Sequence, residues 1–247
     1  MNAVASVLEL LLPSRCAGCG QLDEADRRLR GLCPRCVDEI RHSAPVNWAI
    51  PLRGRSAAVP AFAAAAYDGV VRAALLDYKE RGRLCLRREL GGSLAVSIFA
   101  AVNGDRAPFV LVPAPSASAT RRARGHDPVG AMAAVAAGYL RRADLQVDVR
   151  AALRQGRSVA DQSGLDIDGR RANLAGALVV RRPTLVQGRR VVIVDDIVTT
   201  GATAAEATRA LTDAGAVVIA VACVAATVRR HPLAAVSVRD ERRGGLG

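Results

Sequence analysis

Two adjacent carboxylates stand directly in front of a threonine- and glycine-rich loop in the segment VVIVDDIVTTGAT, residues 191–203. The apolar residues before Asp195 and Asp196 predict a buried strand, and the residues after Gly201 predict a helix. A glycine lets the backbone approach a ligand, and a helix N-terminus offers N–H groups to a phosphate. The loop residues predicted to contact a phosphate are Thr199, Thr200, Gly201, Ala202 and Thr203.

This combination suits a sugar phosphate. The loop would hold the phosphate while Asp195 and Asp196 bind ribose hydroxyls, directly or through Mg²⁺. The plainer alternative is a strand end followed by a helix cap, in which Thr and Asp serve only to cap.

Four of the six cysteines form two closely spaced pairs, Cys16-x2-Cys19 and Cys33-x2-Cys36. Each pair directs two thiolates at one point, and two pairs complete the four-sulfur shell that Zn²⁺ favours. The alternatives are two disulfides, which are typical of secreted chains, and a redox pair, which needs only one such motif beside a βαβ unit. We therefore predict a structural zinc site that leaves no open position for catalysis.

Lys79 is the only lysine among the 35 basic residues of the chain. An ammonium group on a flexible stem suits a point contact to pyrophosphate, whereas a surface position would accept arginine equally well. We predict a functional role for Lys79, and the alternative is survival by chance.

Helical segments and short apolar runs alternate downstream of the cysteines. The helical segments are 69–79, 87–103, 128–142 and 202–214, and the apolar runs are 109–112, 177–180, 190–194 and 217–224. Strands without polar alternation are buried on both faces, so this order predicts an α/β fold with a mostly parallel central sheet flanked by helices. Such sheets bind ligands at the carboxyl ends of their strands, where Asp195 and Asp196 lie.

Composition divides the chain into three parts. Residues 1–44 are predicted to form a small zinc-ribbon-like module, and residues 45–232 the α/β domain. Residues 45–66 contain three prolines and many small residues, and they are predicted to be a linker with extended pieces. Residues 233–247 are predicted to be a tail whose last ten residues are disordered.

The chain carries a formal net charge of +12. Six arginines and six acidic residues cancel within residues 1–44, so the excess belongs to residues 45–247. Lys and Arg bind DNA by neutralising phosphates, but three Phe, one Trp and three Tyr are few for stacking on bases. Small phosphorylated ligands therefore fit the composition as well as nucleic acid does.

The remaining features favour a cytoplasmic protein without a membrane span. The longest uncharged apolar stretch, residues 214–228, falls short of the roughly 20 residues that a bilayer demands. Residues 3–12 lack the basic start and the small-residue cleavage site of a signal peptide. Cys85 and Cys223 lie in apolar surroundings and are predicted to be core residues.

The segment 191–203 resembles the signature with which type I phosphoribosyltransferases bind phosphoribosyl pyrophosphate (PRPP). Walker A and Rossmann motifs are absent. Residues 112–118 (VPAPSAS) resemble the strand end and loop where relatives hold pyrophosphate, with Pro115, Ser116 and Ala117 in the loop.

Residues 154–173 resemble the flexible loop that closes over the substrate in the same family, and they place Arg157, Gln162, Arg170 and Asn173 at the matching positions. Such a loop excludes water and brings positive charge to the departing pyrophosphate. The alternative is an exposed polar connection.

A four-cysteine module in front of such a domain is similar to the ComF family, which includes the competence protein ComFC and GntX-like relatives. The segments 67–74, 78–82 and 121–127 agree with that family. His126, Asp127 and Pro128 depart from its Arg-x-Arg-Gly-Phe-Asn-Gln pattern. The resemblance covers residues 10–228.

The resemblance implies a type I phosphoribosyltransferase fold and one of two functions. In the first, an enzyme transfers a phosphoribosyl group and releases pyrophosphate, which Lys79, Arg157 and the loop 113–118 contact. Residues 199–203 then hold the 5′-phosphate, and the two aspartates face the ribose and Mg²⁺. In the second, a non-catalytic DNA-uptake factor uses the same site or its basic face to bind single-stranded DNA or a helicase-like translocase. The sequence leaves open which of the two applies, and also whether the chain forms a homodimer.

Overall fold

The structure is a computed structural model that describes residues 15–22, 31–52, 58–115, 127–157 and 173–227. A six-stranded sheet lies at its centre. Its strands are β1 (Val46–Pro51), β2 (Ala58–Ala66), β3 (Phe109–Pro113), β4 (Val147–Val149), β7 (Arg190–Val198) and β8 (Val217–Ala226). Their order in the sheet is β1-β2-β8-β7-β3-β4, in which only β1 and β2 pair antiparallel and the other neighbours run parallel. The predicted α/β class with a mostly parallel sheet is confirmed.

A second, two-stranded antiparallel sheet pairs β5 (Leu153–Gln155) with β6 (Leu178–Val180). The helices are α1 (Pro34–Arg41), α2 (Gly69–Glu80), α3 (Arg87–Val102), α4 (Pro128–Arg142) and α5 (Ala202–Asp213), with single 3₁₀ turns at Leu84–Leu86 and Pro183–Leu185.

Both faces of the central sheet are buried, as its uninterrupted apolar strands require. Successive residues of β7 point to opposite faces, so Val192 and Val194 belong to the apolar cluster that includes α2, α3 and α4. Val191 and Ile193 belong to the cluster on the other face, which includes α5, β5 and β6. The result is a three-layer arrangement in which β7 is covered on both sides.

Two sequence interpretations of this region were wrong. The apolar run 177–180 is not part of the central sheet, because β6 pairs with β5 instead. Residues 45–66 do contain the predicted extended pieces, but these are β1 and β2 of the central sheet and not parts of a linker. Ala61 and Ala63 are buried in β2. The small side chains that suggested a linker therefore belong to a tightly packed strand.

The described part of the cysteine-rich module packs into the main core. Cys16, Leu32, Cys36 and Ile40 share one apolar cluster with α2, α3 and α4. At the surface of the same junction, Arg41 of α1 forms an ion pair of 2.9 Å with Glu89 of α3. The module and the α/β fold therefore share packing as well as chain connectivity.

The two remaining cysteines differ in their surroundings. Cys223 lies in β8 and is fully buried, as predicted. Cys85 is exposed, so the prediction that it is a core residue was wrong. It lies in the 3₁₀ turn Leu84–Leu86, where Leu86 is the residue that fills the core.

Candidate functional site

The paired aspartates lie near the carboxyl end of β7, a strand with a parallel neighbour on each side. Asp196 is 3% exposed, and its Oδ1 accepts the Ile197 N–H at 2.7 Å. In open sheets of parallel strands, ligands bind in the crevice outside the carboxyl ends of the strands. The predicted strand therefore delivers both carboxylates to the place where such folds bind ligands.

The only lysine of the chain meets this pair. Lys79 lies in the last turn of α2, and its Nζ is 2.6 Å from Asp196 Oδ2. The Lys79 side chain is 27% exposed, whereas that of Asp196 is 4% exposed. Oδ2 makes no hydrogen bond of regular geometry, so the ammonium group is what balances its charge. Two residues 117 positions apart, each noticed separately in the sequence, are thus in contact.

Asp195 has a different environment from its neighbour. Its Oδ1 accepts the Asp196 N–H at 2.8 Å. Burial, and next the charge of Asp196, raise the pKa of Asp195 well above its usual range, although Lys79 acts in the opposite direction. Part of its surface still reaches solvent. The two adjacent carboxylates therefore differ, because Asp196 is paired with Lys79 whereas burial and the charge of Asp196 disfavour ionisation of Asp195.

The loop after β7 takes a tight turn into α5. Gly201 is the N-cap residue of α5 with φ +75, a left-handed conformation that favours glycine. A Cβ atom at Gly201 would lie 3.1 Å from Ile50 Cγ2, so the turn is also closely packed. Thr200 Oγ1 accepts the Ala202 N–H at 3.3 Å, and Thr227 Oγ1 donates to the Thr199 carbonyl at 3.3 Å.

The geometry of this turn tests the alternative in which Thr and Asp serve only to cap the helix. Because the N-cap position is a glycine, it offers no side chain to cap α5, and the Thr200 hydroxyl binds only the first N–H of the helix, that of Ala202. Thr199 is exposed and Thr200 is half-buried. Backbone N–H groups in the first helical turn have no partner within the helix, and together with the positive end of the dipole they suit an anion.

The loop predicted to hold pyrophosphate is described only at its start. The Ala114 N–H donates to the Val194 carbonyl at 2.8 Å, so the chain leading to Pro115 continues β3 beside the strand that carries Asp195. Ser116, Ala117 and His126 lie outside the described residues, and so do Gln162 and Arg170 of the predicted flexible loop.

Arg157 binds main-chain carbonyl groups at the base of the predicted flexible loop. Its Nη2 donates to the carbonyls of Asn173 and Ala175 at 2.9 and 2.8 Å. These two bonds join the chain on either side of residues 158–172. The guanidinium group therefore holds together the base of the predicted flexible loop.

Asp127 and Pro128, which depart from the family pattern, have structural roles at the start of α4. Asp127 is the N-cap residue of α4, and its Oδ1 accepts the Gly130 N–H at 3.1 Å. Pro128 occupies the first helical position, where a missing N–H costs nothing. The buried Tyr78 hydroxyl donates to the Pro128 carbonyl at 3.0 Å, and burial raises the pKa of Tyr78 to about 12. Asp and Pro thus start the helix and connect it to the residue next to Lys79.

Two buried carboxylates near the site were missed by sequence reasoning. Asp77 is 5% exposed and pairs with Arg81 and Arg83 at 2.5 and 3.0 Å, which fixes the turn after α2. Glu206 of α5 is 6% exposed and contacts β6. The sequence did contain a signal, because each of them is an acidic residue at a helical position that faces the core. Hydrophobic periodicity alone does not distinguish such a residue from an ordinary polar one.

The four predicted metal ligands come together. The sulfurs of Cys16, Cys19, Cys33 and Cys36 all lie within 4.8 Å of one another, and Cys19 Sγ is 3.8 Å from Cys33 Sγ. Tetrahedral zinc with bonds of about 2.3 Å needs sulfur–sulfur distances of about 3.8 Å. Burial opposes ionisation of Cys16, but hydrogen bonds from backbone N–H groups outweigh it and lower the pKa of Cys16 to about 7. The cluster is able to bind a metal ion of the zinc type.

Comparisons with known proteins show similarity to a phosphoribosyl transferase domain and to DNA utilization proteins. The model of the phosphoribosyl transferase domain family matches residues 130–237. The DNA utilization protein YhgH of Escherichia coli O157:H7 is 43% identical over 77 residues, which cover 31% of this chain and 33% of that protein. The proteins of the same name from E. coli K12 and Shigella flexneri are each 43% identical over 72 residues, covering 29% of this chain and 31% of theirs. The matches thus span about a third of these relatives.

One solved structure, described as the allosteric regulatory enzyme of purine biosynthesis, is also similar. It has a TM-score of 0.32 and 22% identity, and the match covers 56% of this chain and 25% of that chain. At this TM-score the likeness supports no conclusion.

Residues 130–237 therefore match the phosphoribosyl transferase domain, as the sequence predicted. The chain is also homologous, over about a third of its length, to the DNA utilization protein YhgH, and a cluster of four cysteines lies near its N-terminus. No helix in the described part of the chain has the length and apolar character needed to cross a bilayer.

Proposed function

We propose that this protein binds PRPP together with Mg²⁺ at the carboxyl end of β7 and transfers its phosphoribosyl group, releasing pyrophosphate. The observation that carries the proposal is the 2.6 Å contact between Lys79 and Asp196 beside the glycine turn that opens α5. Positive and negative groups at one edge suit a ligand with a polyanionic end and a sugar that becomes cationic.

Each part of the ligand has a group suited to it. The N-terminal turn of α5 and the residues 199–203 would bind the 5′-phosphate. Asp195 and Asp196 would face the ribose hydroxyls and Mg²⁺, for which carboxylate oxygens are the preferred ligands. Lys79 would contact the pyrophosphate as a point charge. Pro115 and the following loop residues Ser116 and Ala117 complete the proposed pyrophosphate site, with Gln162 as a further proposed contact.

The proposed reaction is a displacement at C1 of the ribose. The bond from C1 to the pyrophosphate oxygen breaks, its electron pair leaves with pyrophosphate, and a nucleophile forms the new bond to C1. The two aspartates would stabilise positive charge on the sugar, and Lys79 would stabilise negative charge on the leaving group. When bound, Mg²⁺ supplies further neutralisation of pyrophosphate.

We further propose that the metal held by Cys16, Cys19, Cys33 and Cys36 is zinc and that its role is structural. A four-sulfur shell leaves no position for a reacting water. This proposal places the protein in the reducing cytoplasm, where these cysteines remain available as ligands.

Calorimetric titration with PRPP in excess Mg²⁺ tests binding, and a screen for pyrophosphate release in the presence of candidate bases tests transfer. We expect saturable binding and release with at least one acceptor. Binding without release for any acceptor would restrict the function to recognition of PRPP. The matched control is ribose 5-phosphate, which shares the phosphate and sugar but lacks pyrophosphate and should bind more weakly.

A second candidate function, binding of single-stranded DNA beside a helicase-like translocase, is favoured by the arginines around the β5–β6 sheet. The described residues 150–157 and 173–190 contain seven arginines and no acidic residue. Arg150 and Arg190 pair with Asp148 and Asp105, whereas Arg154, Arg181 and Arg182 are exposed. Arginine and phosphate form strong bidentate contacts, so this face suits a polyanion.

Because few aromatic residues are present, such binding would be electrostatic. We expect dissociation constants on the order of 10⁻⁴ to 10⁻⁶ M, a steep loss with salt and almost no base preference. If DNA and PRPP share a site, Mg–PRPP displaces the DNA. Insensitivity to PRPP would indicate two separate surfaces, and salt-independent, base-selective binding would contradict the electrostatic explanation.

A further inference from the structure

Helix α5 contacts the β5–β6 sheet through a buried carboxylate that the proposed chemistry does not use. Glu206 Oε1 accepts the backbone N–H of Leu178, the first residue of β6, at 3.0 Å. Arg209, one turn further along α5, donates to Glu206 at 2.7 and 2.9 Å and to the Leu178 carbonyl at 3.0 Å. Both main-chain groups of Leu178 are thus bound by side chains of the helix that follows the phosphate loop.

The same helix face makes a second contact one turn earlier. Ala202, the first residue of α5, forms a small buried cluster with Leu174 and Ala177. Ala202 and Glu206 are four positions apart and therefore lie on one face of the helix. Residues 174–178 are in this way held against the helical turn that we propose binds the 5′-phosphate.

This held segment is also what positions Arg157. The Ala177 carbonyl accepts the Gly156 N–H at 2.8 Å, next to Arg157. Arg157 itself binds the carbonyls of Asn173 and Ala175 at 2.9 and 2.8 Å. A continuous series of contacts therefore runs from the phosphate-loop helix through Leu178 and Ala177 to the guanidinium group.

We propose that Glu206 is a positioning residue of the PRPP site, which fixes Arg157 relative to the phosphate-loop helix by holding the N–H of Leu178. This inference rests on the proposed function. A pocket that must hold the two ends of one ligand needs its two halves at a constant separation, because small misplacements reduce binding of the whole ligand. A purely structural role for Glu206 would stabilise the fold without any energetic coupling to Arg157.

A double-mutant cycle on the full chain separates these roles. Affinity for Mg–PRPP is measured by calorimetry for the unmodified protein, Glu206→Ala, Arg157→Ala and the double variant. We expect each single change to weaken binding about tenfold, and the double change to weaken it about tenfold rather than a hundredfold. Glu206→Gln, which still accepts the Leu178 N–H, should recover most of the affinity.

The matched control is Asp213→Asn. Asp213 binds the exposed side of Arg209 at 2.8 Å, and its loss leaves Glu206 and Leu178 joined, so affinity should not change. If Glu206→Ala does not fold, the cycle is run with Glu206→Gln, and the same non-additivity is expected on a smaller loss. Additive losses, or normal affinity in Glu206→Ala, would overturn the positioning role while leaving the proposed function intact. Failure of the unmodified protein to bind Mg–PRPP would overturn both.

Discussion

At the scale of single residues, the central feature is a buried carboxylate with one cation as its partner. Asp196 is almost fully buried, and Lys79 Nζ approaches its Oδ2 to 2.6 Å. A buried charge is tolerated only when it is paired, and removal of one partner costs more than removal of both. Lys79 is the less buried of the two and can reach solvent if its partner is removed.

This asymmetry predicts an ordered series of stabilities. Lys79→Met should destabilise the fold by about 3 kcal/mol at neutral pH, because it leaves Asp196 unpaired. Asp196→Asn should cost less, and the double variant Lys79→Met/Asp196→Asn should be more stable than Lys79→Met alone. Denaturant unfolding of all three variants measures the series. Equal, additive losses would show that the contact contributes no coupling energy.

At the scale of elements, the sequence predicted those features that depend on residues close together in the chain. The uninterrupted apolar residues of β7, the acidic pair and the helix after Gly201 were all predicted and lie where expected. The apolar run at 177–180 does not encode its partner, so its pairing with β5 was missed. The link between Glu206 and Leu178 could not be predicted either, because it depends on which helix and strand meet in space.

The turn into α5 gives an element-scale prediction with an internal control. Gly201→Ala should weaken Mg–PRPP binding and destabilise the protein by about 1 kcal/mol or more, since it meets both an unfavourable φ and Ile50. Gly104→Ala has a similar φ of +78 but nothing within 4 Å of its Cβ, so it should carry only the cost of φ and leave binding unchanged. Thermal unfolding and calorimetry of both variants test this. Equal effects on binding would show that the close packing at Gly201 has no functional consequence.

At the scale of the whole molecule, the cysteine cluster and the α/β domain pack together in one apolar core. Cys16 and Cys36 belong to the same apolar cluster as the helices that cover one face of the sheet. Among these helices is α2, which carries Lys79. The cysteine cluster therefore supports the layer from which Lys79 reaches the site, although a metal ion bound by the cluster would take no part in the proposed chemistry.

We accordingly expect one tightly bound zinc ion per chain, and global effects when it is lost. Structural zinc contributes roughly 10 to 16 kcal/mol in small peptides, so Cys33→Ser should unfold the module and lower the melting temperature of the remainder. Metal analysis measures the zinc content, and thermal unfolding measures the change in melting temperature. Cys223→Ser is unsuitable as a control, because Cys223 is buried in β8. The exposed Cys85→Ser is the matched control and should retain zinc. Four freely titratable thiols and no metal in freshly purified protein would contradict this expectation.

The most direct test of the central claim is a calorimetric titration of Mg–PRPP into the unmodified protein and into the double variant Asp195→Asn/Asp196→Asn. Asn is close to Asp in size, and the partly exposed Lys79 can reach solvent once Asp196 is neutral, so the double change should cost little stability. We predict saturable binding by the unmodified protein and no binding by the double variant, whose melting temperature should stay within a few degrees. Normal binding of Mg–PRPP by the double variant would contradict the assignment of the site.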